Sequence, residues 1–215
     1  MKPSIVLSLL LSFSFAACAQ RSNTPSSLKP LSIAERSRLS VATFSLGCFW
    51  HSEGLFETIK GVKDVESGYA GGTARNPSYE GVETGNTGHA ETVNVYYDPK
   101  ELSFSDLLKV YFAGEDPTQV NGQGNDIGPQ YRSIIFYRTP AEKAAIENAV
   151  TEVKKQYKKP IAVQVVPFTR FWTAEGYHQN YIPAHTSEGY VKYCIREIQE
   201  TQRKVPDLVK PGYKY

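Results

Sequence analysis

The chain has 215 residues, 40% of them apolar and 21% charged, with a formal net charge of +2. That is enough for one domain with a sizeable core plus extensions, and so small a charge gives no footprint for a nucleic-acid partner. Three widely spread cysteines, Cys18, Cys48 and Cys194, exclude a disulfide framework and a clustered structural zinc site, so neither a metal nor a bound cofactor is expected.

In chain order, Lys2 supplies a positive start, and Ile5 to Phe15 is an apolar run too short to span a bilayer as a stable helix. It ends in Phe15-Ala16-Ala17-Cys18-Ala19-Gln20, which resembles a bacterial lipoprotein signal, with Phe15 in place of the usual Leu. The resemblance implies removal of residues 1–17, lipid attachment at Cys18 and an exported, membrane-anchored protein. Cleavage at the small residues alone would instead leave a soluble exported chain. Residues 18–38, rich in Ser, Thr, Pro and Lys, read as a tether. A single catalytic domain is expected over 39–205, with residues 206–215 as a tail and no second copy of the chain required.

Ala42 to Leu46 alternates and predicts a strand; Leu55, Phe56 and Ile59 follow at helical spacing. Cys48, in Gly47-Cys48-Phe49-Trp50, therefore falls at a strand-to-helix junction, where free backbone N–H groups and the helix dipole favour a thiolate. His89 to Asp98 predicts a strand with Val93, Val95 and Tyr97 on one face. Ser103 and Asp106 start a helix that carries Leu107, Leu108, Tyr111 and Phe112. Asp116 to Gln130, rich in Gly and Pro, reads as a long functional loop. Ser133 to Tyr137 predicts a strand, and Thr139-Pro140-Ala141-Glu142 opens a helix with Ala145, Ala149, Val153 and Tyr157 as its buried stripe. A strand through Ile161, Val163 and Val165, a helical segment over 173–181 and a helix over 197–203 complete the reading. The order suggests helices packed on a mixed sheet.

Several blocks resemble one family in its own order. They are Gly47-Cys48-Phe49-Trp50, Gly68-Tyr69-Ala70-Gly71-Gly72, Asn76-Pro77-Ser78-Tyr79, Thr87-Gly88-His89-Ala90-Glu91, Gly124-Asn125-Asp126-Ile127-Gly128, Gln130-Tyr131-Arg132-Ser133 and Ala174-Glu175-Gly176-Tyr177-His178-Gln179. They are similar to the signatures of the peptide methionine sulfoxide reductase A family. The resemblance implies an α/β two-layer sandwich, a mixed sheet with a split β-α-β, ferredoxin-like core. It also implies reduction of the S epimer of free and protein-bound methionine sulfoxide, with a dithiol such as thioredoxin as reductant.

That chemistry needs a soft nucleophile for the sulfoxide sulfur, a proton donor for the leaving oxygen and an apolar cage for the methyl group. Cys48 supplies the first and is oxidised to a sulfenic acid, which another thiol must reduce. Glu91, among apolar and neutral neighbours on its predicted strand, is the candidate acid, because burial raises a carboxyl's pKa. The resemblance puts the acid there rather than at His89. It also implies that Tyr79 and Tyr131 aim hydroxyls at the oxygen, that Asp126 orients the acid or the nucleophile, and that Phe49 and Trp50 line the methyl pocket. His51 departs from the family pattern and is expected to face solvent. Cys194 is a candidate resolving thiol, although Val191-Lys192-Tyr193 separates it from Gly189-Tyr190; otherwise an external thiol acts directly on Cys48. A peroxide-reactive thiol sensor is the rival reading, but it leaves Glu91 and the aromatic cage without a purpose.

Overall fold

The computed structural model describes residues 31–213 and 215; the expected signal, Cys18 and most of the tether lie outside the described residues. The described chain opens on α1 (Ile33–Arg36), one turn closed by a reciprocal cap between Ser32 and Glu35. Arg36 ties this end of the tether to the domain. Its Nε lies 2.6 Å from Asp64 Oδ2 and its Nη1 3.0 Å from Glu66 Oε1.

The domain then runs β1 (Ser40–Ser45), α2 (Phe49–Glu57), β2 (Val62–Ala70), α3 (Tyr79–Glu83), β3 (Ala90–Tyr97) and α4 (Phe104–Ala113). A small hairpin follows, β4 (Gly122–Gln123) and β5 (Asp126–Ile127). After it come β6 (Ile134–Tyr137), α5 (Pro140–Lys154), β7 (Gln164–Pro167), β8 (Phe171–Thr173), α6 (Tyr181–Ala184) and α7 (Gly189–Lys204). Six strands form one mixed sheet in the order β7-β6-β1-β3-β2-β8, parallel only between β6 and β7. Because β3 runs antiparallel to both β1 and β2, those two are parallel to each other, and α2 connects them across it. This is the split β-α-β arrangement, within the α/β class expected.

Alternation decides which side chains face the helices. Val93, Val95 and Tyr97 of β3 join Phe44, Leu55, Phe56, Leu107 and Tyr111 in the main core. Phe44 stacks on Phe56 at 5.2 Å between ring centroids and meets Tyr111 at 5.3 Å. The opposite parity is polar and satisfied within the sheet: Thr43 Oγ1 donates to Asn94 Oδ1 at 2.6 Å, and Ser45 pairs with Thr92 at 2.8 Å. Such pairing removes the cost of burying hydroxyls.

The structure corrects several expected elements. β2 gave no alternation signal, because it is buried along nearly its whole length on both faces. Residues 173–181 are not a helix. β8 ends there and a 3-10 turn spans Gly176–His178, held by side chains that bind backbone: Gln179 bridges Ser67 N and Ser67 O. The strand expected from Ile161 begins only at Gln164. α5 has the predicted Thr139 cap, but Ile146 is its only fully buried residue. Ala145, Ala149 and Val153 are half-buried and Tyr157 lies past the helix end, 36% exposed, because α5 packs at the margin, against α4 and the β6–β7 edge. The helix expected over 197–203 starts at Gly189 and buries Val191, Cys194, Ile198 and Thr201 on one face. The loop over 116–130 contains the β4–β5 hairpin. The final residues are packed: Lys60 N donates to Leu208 O, Lys210 N to Thr58 O, and Tyr215 Oη to Gly54 O.

Candidate active site

Cys48 is the N-cap of α2, reached from β1 through Gly47. Gly47 has φ +79°, and a Cβ there would sit 2.7 Å from Gln123 Cβ, so the turn that presents the cysteine needs glycine on both counts. The junction is the one predicted, but the thiol is 6% exposed. Burial pushes its pKa well above the ordinary thiol value, and any ionised Glu91 beside it pushes the same way. The expected bias toward thiolate from the helix start is outweighed by desolvation.

Glu91 stands on the core-facing parity of β3, one step before Val93 and Val95, and is 2% exposed. β3 lies between β1 and β2, so the carboxyl has no solvent face. Its Oε2 accepts the Phe49 N–H at 2.8 Å, which joins it to the residue following the thiol. Burial nevertheless holds its pKa well above the ordinary carboxylate range. A carboxyl raised in this way keeps its proton to higher pH than an exposed glutamate does, as a general acid requires.

The seven expected site residues, Cys48, Phe49, Trp50, Tyr79, Glu91, Asp126 and Tyr131, line one cavity of about 190 Å³ together with Tyr190. Trp50 is fixed on both sides: its ring stacks on Tyr181 at 3.7 Å, and its Nε1 donates to His178 Nδ1 at 3.1 Å. Phe49 lies 4.8 Å from the His178 ring and 5.8 Å from Tyr69. Tyr79 is placed by Glu175, whose two oxygens accept Tyr79 N–H at 3.0 Å and the Tyr69 hydroxyl at 2.8 Å. Tyr131 donates to Glu83 Oε2 at 3.0 Å rather than standing free. Burial raises the pKa of both Tyr79 and Tyr131, so both phenols keep their protons. Asp126 Oδ2 accepts the Tyr190 hydroxyl at 2.7 Å. The same hydroxyl is in hydrogen-bonding contact with the Cys48 and Cys194 thiols.

Tyr190 is the site residue that sequence reasoning missed; its neighbours were read only as spacing around Cys194. His178 and Glu175 lay inside a recognised block without an assigned task. His51 corrects another expectation. It is half-buried, its Nε2 is sealed from solvent without a hydrogen-bond partner, and burial lowers its pKa to about 4. The first turn of α2 rotates it toward α7 rather than outward. His89 is a structural clamp: its Nδ1 accepts Gly72 N–H at 3.2 Å and its Nε2 lies 2.8 Å from Ala74 O. Cys194, 1% exposed, lines a separate cavity that Cys48 also touches. Among the described residues, no group of three or more His, Cys, Asp or Glu is arranged to hold a metal ion.

A thiol beside a buried carboxyl, at the foot of a small aromatic pocket, can take an oxygen atom from an apolar group and hold it on sulfur. The molecule thus falls in the class of thiol-based reductases that remove oxygen from a substrate. Comparison narrows the class. The family model for peptide methionine sulfoxide reductase matches residues 40–208. A peptide methionine sulfoxide reductase MsrA of Thermus thermophilus is 43% identical over 172 residues, covering 80% of this chain and 98% of that one. Among solved structures, methionine sulfoxide reductase A of Corynebacterium diphtheriae is 32% identical with a TM-score of 0.62, covering 68% of this chain and 74% of that one. The reduced form of Mxr1 from Saccharomyces cerevisiae is 31% identical with a TM-score of 0.65, covering 69% and 87%. The chain belongs to the peptide methionine sulfoxide reductase family. It is a peptide-methionine (S)-S-oxide reductase, returning methionine sulfoxide to methionine in the repair of oxidised protein.

Proposed function

We propose that Cys48 attacks the sulfoxide sulfur while Glu91 protonates the departing oxygen. The methyl group rests against Phe49 and Trp50, and the Tyr79 hydroxyl steadies the developing charge on oxygen, joined by that of Tyr131 once it turns from Glu83 to the substrate. The sulfoxide oxygen moves to Cys48 as a sulfenic acid and the substrate sulfur leaves as a thioether. The proton given by Glu91 goes with the oxygen, and the thiol proton of Cys48 restores the carboxyl. Asp126 and Tyr190 hold the thiol in place. The observation that carries this reading is the joining of Glu91 to the Phe49 N–H at 2.8 Å inside the cavity that Cys48 lines.

The sulfenic acid is returned to thiol by an external dithiol such as thioredoxin, with Cys194 the internal candidate for that step. Residues 1–17 direct export and Cys18 carries a lipid anchor. No helix among the described residues is long and apolar enough to cross a membrane. The test of the chemistry is single-turnover release of methionine from a sulfoxide peptide, without reductant. Wild type should release one methionine per chain and gain one oxygen on Cys48 by mass. Cys48→Ser should release none while keeping its thermal unfolding profile. Release by Cys48→Ser would remove Cys48 from the role.

A further inference from the structure

Cys48 is reached from two sides. One is the aromatic cavity of about 190 Å³ that holds Glu91. The other is a cavity of about 340 Å³ under α7, lined by Cys48, His51, Cys194 and the carboxylate-bearing Asp116, Glu197 and Glu200. Cys48, Asp126 and Tyr190 belong to both and form the wall between them. The second space is roughly ten waters in volume, at about 30 Å³ each, which is room for a two-carbon thiol. It ends at the one nucleophile the reaction oxidises, and its lining carries more acidic than basic side chains.

We propose that this cavity is a separate entrance to Cys48 for small-thiol reductants, and that it selects cationic or neutral thiols over anionic ones. The inference rests on the sulfenic acid assigned above. In the first step a thiol RSH attacks the Cys48 sulfur and displaces its hydroxyl, giving the mixed disulfide Cys48–S–S–R. The thiol proton leaves with the hydroxyl as water. A second RSH then attacks the outer sulfur, restoring the Cys48 thiol and releasing RSSR. Two thiols are oxidised by two electrons and the sulfenic sulfur is reduced by two. The lining carries carboxyl groups at Glu115, Asp116, Asp126, Glu197 and Glu200 against one lysine, Lys204, whose Nζ donates to Ala113 O; Glu197 and Glu200 also meet Arg196 and Arg203 at 3.7 and 3.9 Å, in exposed pairs that solvent screens. A cleft lined by one sign of charge concentrates the opposite sign and repels its own. Substrate and reductant then do not compete for space, since each uses its own side of the cysteine.

The test compares three thiols on one two-carbon skeleton: cysteamine (cationic), 2-mercaptoethanol (neutral) and 2-mercaptoethanesulfonate (anionic). Each is supplied at equal thiolate concentration in steady-state turnover of a sulfoxide peptide. The expected order is cationic, neutral, anionic, spanning about tenfold or more. Glu197→Gln with Glu200→Gln should narrow the span, and Glu197→Lys with Glu200→Lys should reverse it. Both side chains line the cavity and remain partly exposed, and single-turnover methionine release reports the sulfoxide step separately in every variant. Equal use of the three thiols, or an order that survives charge reversal, overturns the assignment. Failure of wild type to release methionine in a single turnover would instead sink the reading beneath it.

Discussion

Glu91 shows how one side chain takes its chemistry from position. The alternation that buries Val93 and Val95 carries Glu91 to the same face of β3, and there the ionised form loses its hydration. Its folded pKa is raised well above the ordinary carboxylate value, so it stays protonated through the range where an exposed glutamate, near about pH 4.3, has already ionised. The sign for activity follows: the acid form is present below the raised pKa and is lost as pH rises through it. The single-turnover rate should therefore be flat across the usual carboxylate range and fall at higher pH. A stopped-flow pH profile checks this, and a rate that rises as pH climbs through about 4.3 would contradict a protonated donor. Cys48, Glu91, both tyrosines and Asp126, the residues proposed for the chemistry, could be picked out from sequence blocks, and they line one cavity. Tyr190 could not be, because its role depends on α7 folding back over Cys48, a contact between residues far apart in the chain.

At the scale of elements, the site depends on short pieces with weak local signals. β8 has three residues and pairs with β2 through Gly68, Tyr69 and Ala70. Any side chain at Gly68 would meet Trp172 O at 2.3 Å and Phe171 Cζ at 2.4 Å, closer than atoms can pack. Gly68→Ala should therefore detach β8 and the turn after it, loosening Glu175 and with it Tyr79. The expected outcome is a melting temperature lowered by several degrees, as for about 1–3 kcal/mol of overpacking, together with a raised KM for sulfoxide peptides. An unchanged melting curve would show that β8 gives way without cost. α4, the start of α5 and the central strand could be predicted because their caps and periodicity are local, whereas only the last turns of α7 were. β2 could not, since a strand buried on both faces shows no alternation, nor could β8 and the 3-10 turn, which are stabilised by distant side chains such as Gln179.

For the whole molecule, the split β-α-β arrangement places α2 across the sheet. The start of that helix therefore meets the middle strand, which is why Cys48 and Glu91 come together. Family blocks made this architecture legible where periodicity alone left other α/β plaits open. The proposed attachment outside the domain is tested by intact mass of the protein from a bacterial host. The expected product lacks residues 1–17 and carries diacylglycerol on Cys18. A mature chain starting elsewhere with Cys18 absent or unmodified would reject the anchor and leave the chemistry untouched, because the described site begins beyond Arg36 and its Asp64 contact. The central claim, a buried thiol working with a buried acid, is tested most directly by single-turnover methionine release in Glu91→Gln. The amide keeps the size and the Phe49 N–H bond but cannot deliver an acid's proton. The account predicts a loss of about 10²–10⁴-fold with alkylation of Cys48 continuing at a comparable rate. Release at the wild-type rate would contradict it.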